Sequence, residues 1–355
     1  MAQAGARHAD ACRNTEVRSM TQAHPAPVSD GSLGAPVDDG PLIYVGKGAE
    51  GSLVPRSKAT VSVYDHGLLY GDGVFEGIRV YNGKIFKAMQ HMDRLFDCAG
   101  RLFMEIPISK DEMIGVMRKC VEANGIRDGY IRLLVTRGEG TLGLNPYLCP
   151  EVGIICIADT IKLYTNEMYE KGMRVVLAHR PKTPIECLDP RIKSLNYLNN
   201  IMAKCEAIHL SKSLGIEDPK DQLLEVIMLN TEGTVSEGSG DNLFVVKDGK
   251  MFTPPSDVGL LEGITRRFVM EHLAPAEGIS CEEKRMSVQD LYDADELFLT
   301  GSAAEMIAVR EIIEHDGKGG VTASHPIGSG SEGPVTKKLR DRFRAVVTSD
   351  DVPED

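Results

Sequence analysis

Three observations in the sequence predict an α+β fold. Strand-like and helix-like runs are mixed without the regular β-α-β alternation that a doubly wound parallel sheet requires. Asn82-Gly83, between GVFEGIRVY and KIFKA, is a strong hairpin signal because both residues tolerate positive φ. With 355 residues, the chain is long enough for about two domains, each burying its own core.

Residues 1–40 are rich in Ala, Gly, Pro and Ser and show no apolar periodicity, so a disordered extension is expected, upstream of an alternative start at Met20. Arg7, Arg13 and Arg18 admit a targeting reading. Against it, there is no apolar run for a secretory signal, and Asp10 and Glu16 break the acid-poor pattern of a transit peptide.

From Leu42 the chain turns to strand-like runs: LIYV, ATVSVYD, GVFEGIRVY and KIFKA. Two helices follow, the second opened by a capping box of Ser109 and Glu112 and closed near Gly125. YIRLLVTRG and VGIICIAD complete a smaller α/β domain over residues 41–160. TIKLYTNEMYEKG, without a clean period, is the expected interdomain connection over 161–171. A larger domain over 172–345 begins with MRVVLAHR. It continues through a helix from Leu195 to about Ser213, a β-rich block from Val226 to Phe252, a helix near Thr265, the strand ELFLTG, a strand near MIAVREI and a helix from about Thr336. Residues 346–355 read as a disordered acidic tail, and no internal repeat is present.

Composition narrows the function classes. An apolar share of 42% and a charged share of 26% are those of a soluble globular protein, and no run approaches the ~20 apolar residues of a membrane span. The net charge of -12 opposes nucleic acid, although one basic pocket for a phosphate is compatible with it. Eight scattered cysteines, with no C-x-x-C pair and no interleaved His, read as reduced, mostly buried thiols of a cytoplasmic protein without a metal site.

Several residues carry possible chemistry. Ser194 is a natural N-cap for the helix from Leu195, and Lys193 just before it points off the helix start. Tyr197, Leu198, Ile201, Met202, Cys205 and Ile208 share one face of that helix. A solvated lysine explains Lys193 when it is taken alone, and Lys204 competes for any special role. Glu237 is surrounded by Ser236, Gly238, Ser239 and Gly240, which let backbone or a flat ligand come close. Gly263 precedes a helix whose first amides, at Ile264 and Thr265, are suited to a phosphate. TGSAAE supplies a second turn of small residues. GSGSEG, residues 328–333, matches G-x-G-x-x-G, but with no strand expected before it and Pro334 after it, it reads as a flexible loop. Met89, Met104, His66 and His91 read as core packing and ordinary hydrogen-bonded histidines.

Taken together, these pieces resemble the class IV (fold type IV) pyridoxal-phosphate aminotransferases. The signature is matched by Glu237, Ser239, Asn242, Leu243, Phe244, Thr253, Leu261, Gly263, Ile264 and Arg266, and the resemblance covers the chain from Leu42 to near its C-terminus. Through YDHGLLYGDGVFEGIR, HMDRL, YIRLLVTRG, GLNP and IKSLNYLNN the chain is most similar to branched-chain-amino-acid aminotransferases. The resemblance implies a two-domain fold like that of D-amino-acid aminotransferase, with pyridoxal 5'-phosphate at the domain interface and the larger domain holding it.

It also implies roles. Lys193 is similar to the catalytic lysine that forms a Schiff base with the cofactor aldehyde and moves a proton, which needs an amine that is neutral part of the time. Glu237 is similar to the carboxylate facing the pyridine nitrogen, and Arg94 to the phosphate-binding arginine. Ile264, Thr265 and Ser302 correspond to further phosphate contacts, and Tyr197 to the tyrosine near the cofactor's phenolic oxygen. Tyr130 and Arg132, with amides near Ala303, resemble the group that fixes the substrate carboxylate, while Tyr70, Phe75 and Leu144 resemble walls of the side-chain pocket. Either Arg132 or Arg79 could take the glutamate γ-carboxylate. The implied reaction is ping-pong transamination of leucine, isoleucine and valine with 2-oxoglutarate, in at least a homodimer whose second subunit supplies Leu144. Two alternatives share the fold. A D-amino-acid transaminase usually carries an Arg-x-His trap after VTRG, absent from TRGEGTLGLNPYLCP. An aminodeoxychorismate lyase has no need of a branched-chain pocket.

Overall fold

The computed structural model describes residues 40–349 and 352–355. The expectations for the N-terminal extension, including Met20, fall outside that range, apart from residue 40. The first part contains β1 (Leu42–Lys47), β2 (Glu50–Pro55), α1 (His66–Tyr70), β3 (Gly73–Tyr81), β4 (Lys84–Ile85), α2 (Ala88–Arg101), α3 (Lys110–Ala123), β5 (Gly129–Thr136) and β6 (Gly153–Asp159). Its strands form a six-stranded sheet in the order β2-β1-β6-β5-β3-β4. The β3–β4 hairpin turns at Asn82 and Gly83 with φ of 51° and 80°, the left-handed values that a tight two-residue turn demands. The Ser109–Glu112 capping box opens α3, and Gly125 follows its end with φ of 60°. Met92, Leu95, Met113 and Met117 of the helices pack on Ile78, Ile131, Leu133 and Ile154 of the sheet.

The second part contains α4 (Asn166–Lys171), β7 (Met173–Leu177), α5 (Leu198–Ser213), β8 (Glu225–Leu229), β9 (Val235–Gly238), β10 (Asn242–Lys247) and β11 (Lys250–Thr253). It continues with α6 (Ile264–Phe268), a π-turn at Val269–Leu273, α7 (Ala274–Ala276), β12 (Cys281–Glu283), α8 (Val288–Tyr292), β13 (Glu296–Gly301), β14 (Glu305–His315), β15 (Val321–Pro326) and α9 (Pro334–Val347). These strands make a nine-stranded sheet, β12-β11-β10-β13-β14-β7-β8-β9, with β15 also on β14. Parallel pairs (β14–β7, β7–β8, β11–β12) and antiparallel pairs coexist in it, as α+β predicts.

Several local expectations change. ATVSVYD is not a strand: Val61 and Val63 are exposed at 45% and 69%, and their alternation has no pairing strand in the described chain, while β2 takes the place beside β1. TIKLYTNEMYEKG contains α4, whose Met168 joins Tyr164 in the core of the nine-stranded sheet. GSGSEG does follow a strand, β15, but that strand pairs antiparallel with β14, and the start of α9 is filled by the Glu296 carboxylate, which accepts from the Val335 and Thr336 amides at 2.9 and 2.7 Å. That occupancy, rather than a missing strand, excludes a phosphate there. The end of the chain is anchored in its described part: Val352 is buried, the Pro353 carbonyl accepts from the Lys87 amide, and the Asp355 carbonyl accepts from the Lys87 ammonium. Of the described cysteines, Cys98, Cys120 and Cys156 are buried, but Cys187 and Cys205 are exposed, so the thiols are less uniformly buried than expected.

The largest change concerns α5. It begins at Leu198 with Tyr197 as N-cap, not at Leu195 with Ser194. The stretch from Lys193 to Leu195 is extended instead, because the Lys193 carbonyl accepts from the Phe75 amide (3.0 Å) and the Leu195 amide donates to the Gly73 carbonyl (2.8 Å). Its buried face is also the opposite one. Ala203, Ala207 and Leu210 pack on β7 and β8, small side chains that allow close approach, while Leu198, Ile201 and Met202 are 62%, 54% and 42% exposed. Among the described residues no helix is long and apolar enough to cross a membrane.

Candidate active site

A cavity of about 310 Å³ is lined from one side by β3, α2 and β5 of the six-stranded sheet and from the other by the Lys193 segment, β9, the start of α6 and the end of β13. Lys193 lies at its centre as a consequence of the pairing with β3, which fixes its backbone, and the Cys98 thiol accepts from its amide at 3.3 Å. Its amine sits 4.5 Å from the centre of the Phe75 ring and donates to the Tyr197 hydroxyl at 3.2 Å. Burial, then the charge of Arg94, pushes this amine down to about 8, with Glu76 pulling the other way. The amine is therefore partly neutral near neutral pH. Burial, then the Glu237 charge, pushes the Tyr197 phenol up to about 12, so it stays protonated and can both accept and donate.

Glu237, on β9, is 5% exposed and faces the cavity, with its carboxylate held on every side. Oε2 accepts from Asn242 (3.0 Å) and the Leu261 amide (3.1 Å), and Oε1 accepts from Lys182 (2.6 Å). Such a set satisfies the hydrogen-bonding capacity of a carboxylate held away from water.

Arg94 projects from α2 into the cavity, gripped by Glu76 through Nε and Nη2, both at 2.7 Å, while Nη1 reaches the Glu262 carbonyl. His91 makes its own contact with Glu76 at 2.8 Å. Burial opposes ionisation of Glu76, but the Arg94 and His91 charges outweigh it and hold the carboxyl far below its usual range. Thr265, Ile264 and Ser302 share the Arg94 end, where Gly263 opens the helix without a side-chain cap and its first amides have no intrahelical partner.

Tyr130, Arg132, Phe75 and Ala303 also line the cavity. Gly77 makes room for Tyr130: a Cβ there would lie 1.8 Å from the Tyr130 hydroxyl. The Arg132 guanidinium stacks 4.8 Å from Phe75 and, among the described residues, pairs with no acid. Two expected pocket residues are not brought to this cavity. Tyr70, at the end of α1, donates to the Leu142 carbonyl, and Leu144 is 78% exposed on the same loop, so neither side chain reaches the cavity of its own chain. Arg79 is also elsewhere, paired with Glu305 at 3.0 Å. Lys204, the competing lysine, also lines the cavity, 3.2 Å from Glu225. Beside it Asp241 is pushed up to about 7 by burial, then by the Glu225 charge.

Sequence reasoning misses Glu76, Lys182 and Tyr164. Glu76 carries a usable signal, a charged residue inside the otherwise buried run of β3. Lys182 carries none, because it lies in an irregular loop and its partner is distant in sequence.

Comparison with known proteins agrees with this geometry. Residues 73–312 match the family described as Amino-transferase class IV. A putative branched-chain-amino-acid aminotransferase of Methanocaldococcus jannaschii is 44% identical, over 84% of this chain and 95% of its own. The branched-chain-amino-acid aminotransferase of Pseudomonas aeruginosa is 37% identical, over 84% and 92%. The crystal structure of the Escherichia coli branched-chain amino acid aminotransferase superposes with a TM-score of 0.76 at 33% identity, covering 86% of this chain and 95% of that one. A second solved branched-chain amino acid aminotransferase, crystallised with pyridoxamine 5'-phosphate, gives 0.75 at 34%, covering 87% and 94%.

Enzymes of this class depend on pyridoxal 5'-phosphate, and the residues here fit that group. The uncapped helix start beside Arg94 and Thr265 suits a phosphate, the enclosed Lys193 amine suits an aldehyde, and the buried Glu237 carboxylate suits a ring nitrogen. The chain belongs to the class IV aminotransferases.

Proposed function

We propose that this chain transfers the amino group of leucine, isoleucine and valine to 2-oxoglutarate, in two half-reactions at one cavity. The observation that carries the proposal is the Lys193 amine set between the apolar face of Phe75 and the Tyr197 hydroxyl, with the Arg132 guanidinium beside the same ring. When bound, pyridoxal phosphate supplies an aldehyde carbon for the amino group and a ring that stabilises negative charge at the substrate α-carbon. Arg94, Thr265, Ser302 and the amides of Ile264 and Thr265 hold the phosphate. Glu237 would face the ring nitrogen and Tyr197 the phenolic oxygen. Lys193 Nζ would take the proton from the α-carbon of the amino acid in one half-reaction and deliver a proton to the α-carbon of the oxo acid in the other. Arg132, Tyr130 and the amides near Ala303 orient the carboxylate. With glutamate, Arg132 takes the γ-carboxylate and leaves the α-carboxylate to Tyr130 and the amides near Ala303, since Arg79 is engaged by Glu305. An apolar wall separates substrates differing by one methylene by only ~1–3 kcal/mol, so the three branched substrates compete.

The proposal extends to the assembly. Leu68, Leu198, Ile201 and Leu144 expose apolar surface at 64%, 62%, 54% and 78%, and α1 adjoins the start of α5 through Gly71 and Asn196. This face pairs two copies in at least a homodimer, and Leu144 with Tyr70 closes the partner's cavity. A two-domain division at 41–160 and 172–345, with 161–171 between, and a cytoplasmic location are part of the same reading.

The test is a set of half-reactions with purified holoenzyme. The bound cofactor's absorbance should change on adding L-leucine or L-glutamate and stay unchanged with D-alanine. The reverse pattern would make the chain a D-amino-acid enzyme.

A further inference from the structure

We propose that Lys182 is a positioning residue that keeps Glu237 ionised, and through it keeps the cofactor's ring nitrogen protonated. The inference rests on the reading of Glu237 as the group facing that nitrogen. The pair is built from behind the cavity. Lys182 is 3% exposed, and its ammonium lies 2.6 Å from Glu237 Oε1. The loop that carries it is fixed at both ends. The Lys182 amide donates to the Leu229 carbonyl at the end of β8 (2.8 Å), and Asn199 in the first turn of α5 donates to the Pro181 carbonyl (3.0 Å) and accepts from the Thr183 amide (3.2 Å).

The oxygens of Glu237 are divided. Oε2 is held by two neutral donors, Asn242 and Leu261, whereas Oε1 has the cation. Neutral donors alone leave the charge of a buried carboxylate uncompensated, so removing the ammonium favours its protonated form relative to the native pair. A neutral Glu237 offers the ring nitrogen no negative charge, and the ring then withdraws electrons less from the α-carbon. Both charges reach the cavity, because burial and then Glu237 raise the Tyr197 phenol while Lys182 opposes them.

The experiment compares holoenzymes of Lys182→Met, Lys182→Gln and Lys182→Arg with Glu237→Gln. It reads the ring-nitrogen NMR shift of isotopically labelled cofactor together with steady-state kinetics. Lys182→Gln keeps a hydrogen-bond donor without the charge, so it tests the claim even if Lys182→Met does not fold. The expected result is a shift toward the unprotonated nitrogen in Met and Gln. In those variants kcat falls about 10-fold or more while KM moves less than about 3-fold, and Arg restores both readouts. A native nitrogen signal in every folded neutral variant of Lys182, with Glu237→Gln shifted, overturns the role of Lys182 alone. A native signal in Glu237→Gln overturns the placement of Glu237 as well.

Discussion

Lys193 lines the cavity and Lys182 stands behind it, paired with Glu237, and their surroundings differ. Lys182 has a carboxylate at 2.6 Å and is 3% exposed, so it is a fixed counter-charge. Among the described residues Lys193 has no acid at hydrogen-bond distance; its partners are a phenol hydroxyl and an aromatic face, and its proton affinity drops toward 8. The same side chain is thus suited to be an anchor where an acid is supplied and a nucleophile where it is withheld. Lys204, paired with Glu225 at the cavity floor and 38% exposed, belongs with the anchors.

The contrast can be broken most severely at Lys193. Lys193→Ala should lower turnover by about 1000-fold or more while thermal unfolding remains cooperative, because removing a nucleophile leaves no substitute path. Equal loss in Lys204→Ala, expected to stay within about 3-fold of native by the same comparison of kcat, would erase the distinction between the amines.

A smaller effect is expected at the phosphate end. Arg94→Gln removes the cation that Glu76 grips and leaves a buried carboxylate with His91 alone, a type of loss worth about 3–5 kcal/mol. Separately, because the phosphate loses its guanidinium partner, equilibrium dialysis should find cofactor affinity lowered by at least about 100-fold, or ~2.7 kcal/mol of binding free energy.

The acid-base contrast gives a pH test. Only a neutral amine attacks an aldehyde, and lowering the amine's proton affinity shifts the neutral form to lower pH. The rate of cofactor uptake by cofactor-free protein should therefore rise with pH and level off above about 8, instead of climbing toward the ordinary lysine value of 10.5. The smallest effect separates two arginines. Arg132→Gln should raise KM for glutamate by about 10-fold, with less change for leucine, whereas Arg79→Gln should leave both KM values and lower stability modestly, since Glu305 loses one partner and keeps Arg344 and Tyr81.

What can be read in advance follows the range of the interactions. The β3–β4 turn, the capping box of α3 and the glycine stop at Gly125 are set by neighbours within a few residues, and they stand as the sequence indicates. The proposed site residues Lys193, Glu237, Arg94 and Thr265 follow from a family pattern that encodes their spacing, and the fold gathers them at one cavity. The start of α5 escapes local reading because Lys193 to Leu195 bonds to β3, a competition between distant strands that no local cap reports. Its buried face is inverted because Ala203 and Ala207 are buried for their size rather than their hydrophobicity. Lys182 is invisible for a similar reason: an ion pair across 55 residues leaves no period or motif.

The central claim is that Lys193, among the three lysines of the cavity region, is the amine that reacts. Borohydride reduction of the holoenzyme followed by peptide mapping tests it directly. The account requires the phosphopyridoxyl group on the peptide containing Lys193; recovery on Lys182 or Lys204 would contradict it.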